Sequence, residues 1–210
     1  MHVELVASTA VRVPFPDTVS PSEAAVAFAS LSDAPPAIQL RRSVDDLAQS
    51  RTELLDHASA TLHIRGVSRD AAAAVRGHGL AVSERAIEGT VVPAVIAADG
   101  DLTRAFEAAV EEAEFVRHEL LQALEDAMAE ETNALVRRKR AREAANALTP
   151  AAAATELVAT GTFRAWRGFI QAYQGRFEHD EIRELAAAVL DVMAVEAPLL
   201  FGDLRAEQRR

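Results

Sequence analysis

The chain carries few side chains of the kinds that perform chemistry, and their spacing limits what they can do. Its six histidines stand at positions 2, 57, 63, 78, 118 and 179. No two of them have the i, i+4 spacing that places a pair of metal ligands on one face of a helix. The absence of cysteine excludes a disulfide framework, a thiolate nucleophile and a cysteine-based metal site. We therefore predict no metal centre.

One histidine is flanked by glycines, in the segment Gly77-His78-Gly79. Glycines favour a bound phosphate when they precede a helix, because the amides and the dipole of a helix N-terminus face the anion. Here the glycines follow a predicted helix, where glycine is an ordinary C-terminal cap. The segment by itself therefore indicates the end of a helix and not a phosphate site.

Two further patterns leave alternatives open. A run of basic residues, Arg137–Arg142, follows a strongly acidic helix, which favours ion pairs between the two helices over contacts with a ligand phosphate. Trp166 shares one helical face with Phe163 and Ile170, a pattern typical of core packing or of a subunit interface.

Composition excludes several classes of protein. The 210 residues, half of them hydrophobic, predict a single domain over 1–210 with a sizeable core. The net charge of −10 argues against general binding to nucleic acid. No apolar run reaches the roughly 18 residues of a membrane span, and Met1–Pro14 lacks the pattern of a signal peptide. These features predict a cytoplasmic protein without a membrane partner.

Apolar alternation predicts strands, and apolar spacing of three or four predicts helices. Strands are predicted at His2–Ala7, Val11–Phe15, Ala58–Arg65 and Glu156–Thr162, with Leu80–Ile87 irregular or extended and Val91–Ala98 an edge strand or a loop. Helices are predicted at Ser22–Ser30, Ser43–Asp56, Ser68–Arg76, Asp101–Glu130, Asn133–Leu148, Phe163–Ala172 and Glu178–Val195. The fold class is therefore α+β, with long helices packed on a modest mixed or antiparallel sheet.

Five stretches in the right order resemble the flavin-dependent thymidylate synthase family. They are His57-Ala-Ser, Ile64-Arg-Gly-Val-Ser-Arg69, the helix from Leu135 to Ala145, Val158-Ala-Thr-Gly-Thr-Phe-Arg-Ala-Trp166, and the C-terminal part from Glu181 to Phe201. The resemblance covers roughly residues 54–204. It implies the thymidylate synthase-complementing-protein-like fold, an FAD cofactor, deoxyuridylate as substrate, and a homotetramer with sites between subunits.

The family's signature (R-H-R, then S, a polar pair and S-x-R) falls on residues 76–88. Three positions remain compatible with it: Arg76, Ser83 and Glu84. The resemblance therefore implies His78, Ser83 and Glu84 as candidate catalytic residues. It implies His57 and Arg76 as contacts of the cofactor if flavin is bound.

Many positions depart from the family pattern, and most departures remove a cation. Within the signature the departures are Gly77, His78, Ala81, Ala86 and Glu88; elsewhere they are Arg51, Asn146, Glu156, Thr162, Tyr173 and Phe177. Each charge-assisted contact from an arginine to a phosphate contributes about 1.5–3 kcal/mol. Losing several of them, and gaining Glu88 and Glu156, predicts a pocket that repels deoxyuridylate and weakens FAD binding.

Three functional hypotheses follow. The first is a family member that has lost deoxyuridylate methylation, as a pseudo-enzyme, a repurposed scaffold or a partner of an active paralogue in a hetero-oligomer. The second is a flavoenzyme acting on a different, less anionic substrate. The third is retained thymidylate synthase activity with a displaced motif. In each case the long helix Asp101–Glu130 and the Trp166 face are candidate subunit interfaces.

Overall fold

The computed structural model describes residues 1–31, 52–175 and 177–208. Its four strands are β1 (His2–Ser8), β2 (Ser59–Ser68), β3 (Ala81–Thr90) and β4 (Ala153–Thr162). They form one antiparallel sheet in the order β1-β2-β4-β3. β1 pairs with β2 in a register that places Glu4 opposite His63. The predicted α+β class is confirmed.

Four of the described helices begin at a capping side chain. They are α1 (Pro21–Ala29), α2 (Arg69–Arg76), α3 (Ala94–Ala97), α4 (Gly100–Ala127), α5 (Ala134–Ala145), α6 (Phe163–Ala172), α7 (Asp180–Glu196) and α8 (Pro198–Gln208), with 3₁₀ turns at Thr52–His57 and Asn146–Leu148. Asp99, Asn133 and Thr162 cap α4, α5 and α6 by accepting hydrogen bonds from backbone N–H groups of the first turn. Ser20 and Glu23 form a reciprocal capping box at α1.

The chain divides into two compact units. The first comprises Met1–Val67, Ala71–Arg85 and Thr155–Arg210. Its core includes Leu62 and Ile64 from β2, Leu157 from β4, and Trp166 from α6. Alternate residues of β2 point away from this core, because successive side chains of a strand face opposite sides of the sheet. The first unit therefore has a sheet with one apolar face and one polar face.

The second unit comprises Ser68–Asp70 and Ala86–Ala154. Its largest element is α4, which packs against α5 and has no buried residue along its 28 positions. Arg138 of α5 lies 3.7 Å from Glu125 of α4, and Lys139 pairs with Glu143 within α5. The first contact agrees with the predicted ion pairing between the two helices, whereas the second lies within one helix. The prediction of one domain over 1–210 is not tested by this division and stays a prediction.

Most predicted elements are present, and two expectations are wrong. The predicted strand Val11–Phe15 has no strand pairing, and Val91–Ala98 contains the short helix α3 where an edge strand or a loop was predicted. Of the two alternatives for the Trp166 face, core packing is confirmed, because Phe163, Trp166 and Ile170 are fully buried in the first unit. Most of the predicted helix Ser43–Asp56 lies outside the described residues; its end is the 3₁₀ turn Thr52–His57. The helix α8 was not predicted.

None of the helices in the described ranges combines the length and the apolar character that crossing a membrane requires.

Candidate functional site

The polar face of the sheet carries one ionisable residue from each strand, joined in a row that we call the charge ladder: Glu4, His63, Glu156 and Arg85. His63 Nδ1 lies 2.6 Å from Glu4 Oε1, and His63 Nε2 lies 2.5 Å from Glu156 Oε1. Arg85 donates from Nε to Glu156 Oε2 at 2.6 Å, and its Nη2 lies 2.5 Å from the same oxygen. The strand order β1-β2-β4-β3 places these four residues side by side.

The charges of the ladder stabilise one another. The hydrogen bonds to Glu4 and then to Glu156 hold the pKa of His63 above its ordinary value. Hydrogen bonds from Arg85 and from His63 lower the pKa of Glu156, and the bond to His63 lowers that of Glu4. An imidazole donates from both ring nitrogens only when it is protonated. The ladder is therefore a row of alternating negative and positive charges.

A cavity of about 240 Å³ lies beside the ladder. Its lining contains five polar residues and two apolar ones: His63, Ser83, Glu84, Arg85, Glu156, Leu157 and Val158. Ser83, Glu84 and Arg85 are consecutive on β3, and the other residues come from β2 and β4. Of the predicted site residues, the structure brings Ser83 and Glu84 to this cavity.

Arg76 does not line the cavity, but it forms an ion pair with Glu84, which does. Its Nη1 atom donates a hydrogen bond to Glu84 Oε2, which joins the end of α2 to β3. The side chain of Glu84 is 21% exposed and that of Arg76 is 46% exposed. Two of the predicted site residues are thus bound to each other, and the guanidinium of Arg76 already has a carboxylate partner.

His78 lies in an aromatic cluster and is not among the residues that line the cavity. The centroid of its ring is 5.5 Å from that of Phe169 and 5.3 Å from that of Tyr173, with edge-to-face geometry in both contacts. Burial lowers the pKa of His78, because desolvation disfavours the charged imidazolium. His78 is thus outside the lining that contains Ser83 and Glu84, and the catalytic role of all three stays a prediction.

His57 is exposed at the end of the first 3₁₀ turn and does not line the cavity. Its neighbour Asp56 accepts a hydrogen bond from Thr162 Oγ1 at 3.0 Å and lies 2.7 Å from Arg164 Nη2. The guanidinium of Arg164 is therefore also matched by a carboxylate of the chain. Cofactor binding by His57 and Arg76 stays a prediction.

The expected effect of Glu156 needs correction. Its carboxylate was predicted to repel anions, but it contacts Arg85 and His63 and lies 3.5 Å from Arg65 Nε. The charge is therefore matched by neighbouring cations and does not confront a ligand alone. Glu88, the other acidic departure, is exposed, is absent from the cavity lining, and makes no ion pair with any described residue.

Sequence reasoning missed His63 as a site residue, because it considered this histidine only as a possible metal ligand. A usable signal was present in β2, where Thr61, His63 and Arg65 alternate with the apolar residues of the core-facing side. Thr61 also meets β4, through a hydrogen bond of 2.9 Å to Thr160 Oγ1. Three polar residues at alternate positions of a buried strand indicate a polar face with partners on neighbouring strands.

Three guanidinium groups at or near the candidate site are already paired and so are not free to bind the pyrophosphate of FAD. A pyrophosphate needs cationic or N–H donors that are free to bind it. The guanidinium groups of Arg76, Arg85 and Arg164 are bound by Glu84, Glu156 and Asp56. Among the described residues, no group of three or more histidine, aspartate or glutamate side chains is arranged to hold a metal ion.

Comparison with known proteins gives consistent matches. Residues 5–199 match the family model described as thymidylate synthase complementing protein. The chain is 42% identical over 158 residues to the flavin-dependent thymidylate synthase of Corynebacterium aurimucosum, covering 71% of this chain and 64% of the relative. It is 40% identical over 164 residues to that of Corynebacterium glutamicum, covering 74% and 66%, and 37% identical over 158 residues to that of Mycobacterium tuberculosis, covering 71% and 63%.

The matched part of the chain thus spans just under two thirds of the length of these relatives. The family model, in contrast, extends over nearly all of the chain. The order of the strands, the capped helices and the motifs of β2, β4 and α6 lie within the matched residues. The chain therefore belongs to the thymidylate synthase complementing protein family.

Proposed function

We propose that this family member does not methylate deoxyuridylate and that it uses the family scaffold for another role. The observation that carries the proposal is the pairing of guanidinium groups at the cavity with carboxylates of the same chain. Arg76 is bound to Glu84, and Arg85 is bound to Glu156. A deoxyuridylate phosphate is a dianion that requires charge-assisted bonds, and these cations already make such bonds within the protein.

The positions of the candidate catalytic residues support the same proposal. Ser83 and Glu84 line the cavity, while His78 packs against Phe169 and Tyr173. A general acid or base acts within about 3 Å of the atom whose proton it moves. The absence of His78 from the cavity lining, and its packing against two aromatic rings, support a proposal in which these three residues do not act as one catalytic group.

A second candidate function is a flavoenzyme that acts on a less anionic substrate. The cavity favours it in one respect, because its lining combines polar groups with the apolar side chains of Leu157 and Val158. An uncharged ligand with hydrogen-bonding groups requires no displacement of the ion pairs. FAD, the cofactor that the family suggests, would have to separate Arg76 from Glu84 in order to use that guanidinium.

We also propose that the protein assembles as a homo-oligomer, a tetramer by analogy with the family, or with an active paralogue. The exposed apolar side chains of α4 support an additional contact surface: Leu102 is 54% exposed, Phe115 is 59% exposed and Val116 is 42% exposed. Large apolar side chains exposed on a helix are candidates for contact with another chain. The cytoplasmic location remains a prediction.

The test is an absorption spectrum of the purified protein, followed by an assay with deoxyuridylate, methylenetetrahydrofolate and NADPH. The flavin-dependent thymidylate synthase of Corynebacterium glutamicum, prepared in the same way, is the positive control. We expect no thymidylate from this chain under conditions in which the control turns over. A yellow protein without thymidylate formation would favour the second candidate function. A yellow protein that forms thymidylate at a rate near that of the control would refute the proposal and establish the third hypothesis.

A further inference from the structure

The strand β1 lies at one edge of the sheet and buries little of its surface. One of its seven residues is half-buried, and the other six are exposed. Just after the strand, Thr9 is bonded to Ser59: its backbone N–H donates to the carbonyl of Ser59, and its Oγ1 accepts from Ser59 N, each at 2.9 Å. The register with β2 is interrupted between Leu5 and Ala7. An irregularity therefore separates residues 2–5 from the anchored end of the strand.

Glu4 fastens residues 2–5 to β2 through a side-chain bond to His63. Its Oε1 atom lies 2.6 Å from His63 Nδ1. The other charged group near Glu4 is His2 of the same strand, which is 63% exposed and has its Nε2 atom 3.6 Å from Glu4 Oε2. Among the described residues, His63 is the only partner on another strand that bonds this carboxylate. The side chain of Glu4 is 49% exposed, so water can reach it.

His63 has a carboxylate on each side, and the two carboxylates differ in their other partners. From β4, Glu156 Oε1 lies 2.5 Å from His63 Nε2. Glu156 is also bound by Arg85 of β3 at 2.6 Å and lies 3.5 Å from Arg65 of β2. The bonds to Glu4 and then to Glu156 raise the pKa of His63. The protonated ring donates to both carboxylates, whereas a neutral ring has one N–H and donates to only one of them.

The neutral ring of His63 should keep its proton on Nε2. Glu156 is 11% exposed and is held by Arg85, so it cannot turn away from a nitrogen lone pair that faces it. Glu4 can turn away, because water replaces the donor that an exposed carboxylate loses. A lone pair on Nδ1 is therefore tolerated at lower cost than a lone pair on Nε2.

We propose that residues 2–5 form a pH-controlled strap on the outer edge of β2. When His63 loses a proton to the solvent, its remaining N–H stays with Glu156, Glu4 turns into water, and the strap detaches from β2 more often. Detachment leaves backbone N–H and C=O groups of β2 without partners, and such an edge is able to pair with another extended segment. The strap does not depend on whether the protein methylates deoxyuridylate.

Hydrogen exchange of the wild-type protein, followed by mass spectrometry, tests the strap. Labelling times are scaled so that intrinsic exchange is equal at each pH, and the peptide that contains β4 is the internal reference. Between about pH 6 and about pH 10, we expect the protection of residues 2–5 to fall by about two- to fivefold relative to β4, as for the loss of one exposed ion pair. Protection that stays constant relative to β4 would overturn the proposal.

Two glutamate-to-glutamine variants, one on each edge strand, separate the strap from general effects of pH. Glu4→Gln removes the carboxylate that His63 binds, so the protection of residues 2–5 should lose its pH dependence. Glu88→Gln removes an exposed carboxylate of β3 and should keep the wild-type dependence. The proposal is wrong if the two variants show the same dependence on pH.

The tautomer of His63 gives a second readout, which a purely structural role of Glu4 would not determine. In protein labelled with ¹⁵N in histidine, the ring signals of His63 are those that disappear in His63→Gln. We expect the ring to be protonated at Nε2 above its titration midpoint. A neutral ring protonated at Nδ1, or a ring that shows no titration up to about pH 10, would contradict the release of Glu4.

Discussion

The carboxylate of Glu23 joins the beginnings of two helices, and its replacement gives a sharp test of the packing described above. The residue is 1% exposed. Its Oε2 atom accepts a hydrogen bond from Ser20 N at 2.9 Å, which closes the capping box of α1. Its Oε1 atom accepts from Leu199 N at 2.6 Å, in the first turn of α8. Both N–H groups lie at helix N-termini, where a negative charge is stabilised.

Glu23→Gln keeps the shape of the side chain and changes its hydrogen-bonding capacity. The amide has one oxygen to accept a hydrogen bond, so one of the two backbone N–H groups faces an NH₂ donor. Each hydrogen bond to a charged group contributes about 1.5–3 kcal/mol, and the surviving bond loses its charge. We expect the free energy of unfolding to fall by about 2–4 kcal/mol, and the melting temperature by roughly 5–15 °C for a chain of this size.

The assay is urea unfolding followed by circular dichroism, with Glu184→Gln as the matched control. Glu184 is exposed on α7, so its replacement should change the free energy of unfolding by less than about 0.5 kcal/mol. If Glu23→Gln costs no more than Glu184→Gln, the carboxylate does not hold the two helix starts together. The wild-type m-value should be retained in both variants, since neither change alters the surface exposed on unfolding.

Three further predictions concern other parts of the first unit. Because the pKa of His63 is raised, its contribution to stability is complete below about pH 6.5 and is lost as the pH rises through its folded pKa. Because the pKa values of Glu4 and Glu156 are lowered, their contribution is complete above about pH 4.3 and is lost on acidification. The difference in melting temperature between wild type and His63→Gln should therefore be greatest between these values, and a difference independent of pH would contradict the ladder. Gly161→Ala should destabilise the protein by about 1–3 kcal/mol, because the new Cβ would lie 2.1 Å from Leu80 Cδ2. Gly168→Ala lies in open space on α6 and should stabilise the protein by about 0.5–1 kcal/mol. Denaturant titration distinguishes the two signs. Arg167→Met should cost about 1–3 kcal/mol in the same titration, since it leaves the half-buried Asp203 without its paired bonds of 2.8 and 2.6 Å, and a cost below about 0.5 kcal/mol would count against that ion pair.

The elements that the sequence predicted correctly are those with strong local signals. The alternation of Ala60, Leu62 and Ile64 with polar residues defines β2, and the apolar spacing behind the capping residue Asp99 defines α4. Each signal depends on residues within a few positions of one another, so no knowledge of the tertiary structure is required.

The wrong predictions lie where two local signals compete. In Val91–Ala98 the β-branched residues favour a strand, but Pro93 stands at the N-cap of a four-residue helix and accepts the first backbone hydrogen bonds through its carbonyl. In Val11–Phe15 the alternation is present, yet no partner strand lies beside it. Alternation predicts a strand only where a sheet edge is available.

The charge ladder could not be predicted, because its contacts depend on strand order. His63 and Glu4 are 59 positions apart, His63 and Glu156 are 93 apart, and Arg85 and Glu156 are 71 apart. Sequence reasoning identified Glu156 as an acidic departure from the family pattern, but it could not place three cations around it. The sequence alone therefore predicted that the carboxylate of Glu156 repels anions. In the folded protein this carboxylate is paired with neighbouring cations.

The central position of β4 also determines the order in which a newly made chain can complete its sheet. β1, β2 and β3 have all been synthesised once residue 90 is added, but the strand that lies between β2 and β3 begins only at Ala153. Until then, one edge of β2 and the inner edge of β3 keep backbone groups without partners, and such edges favour aggregation. The second unit, most of which is encoded between these strands, is synthesised during that interval. The unpaired edges of β2 and β3 can therefore be covered only after β4 has been synthesised.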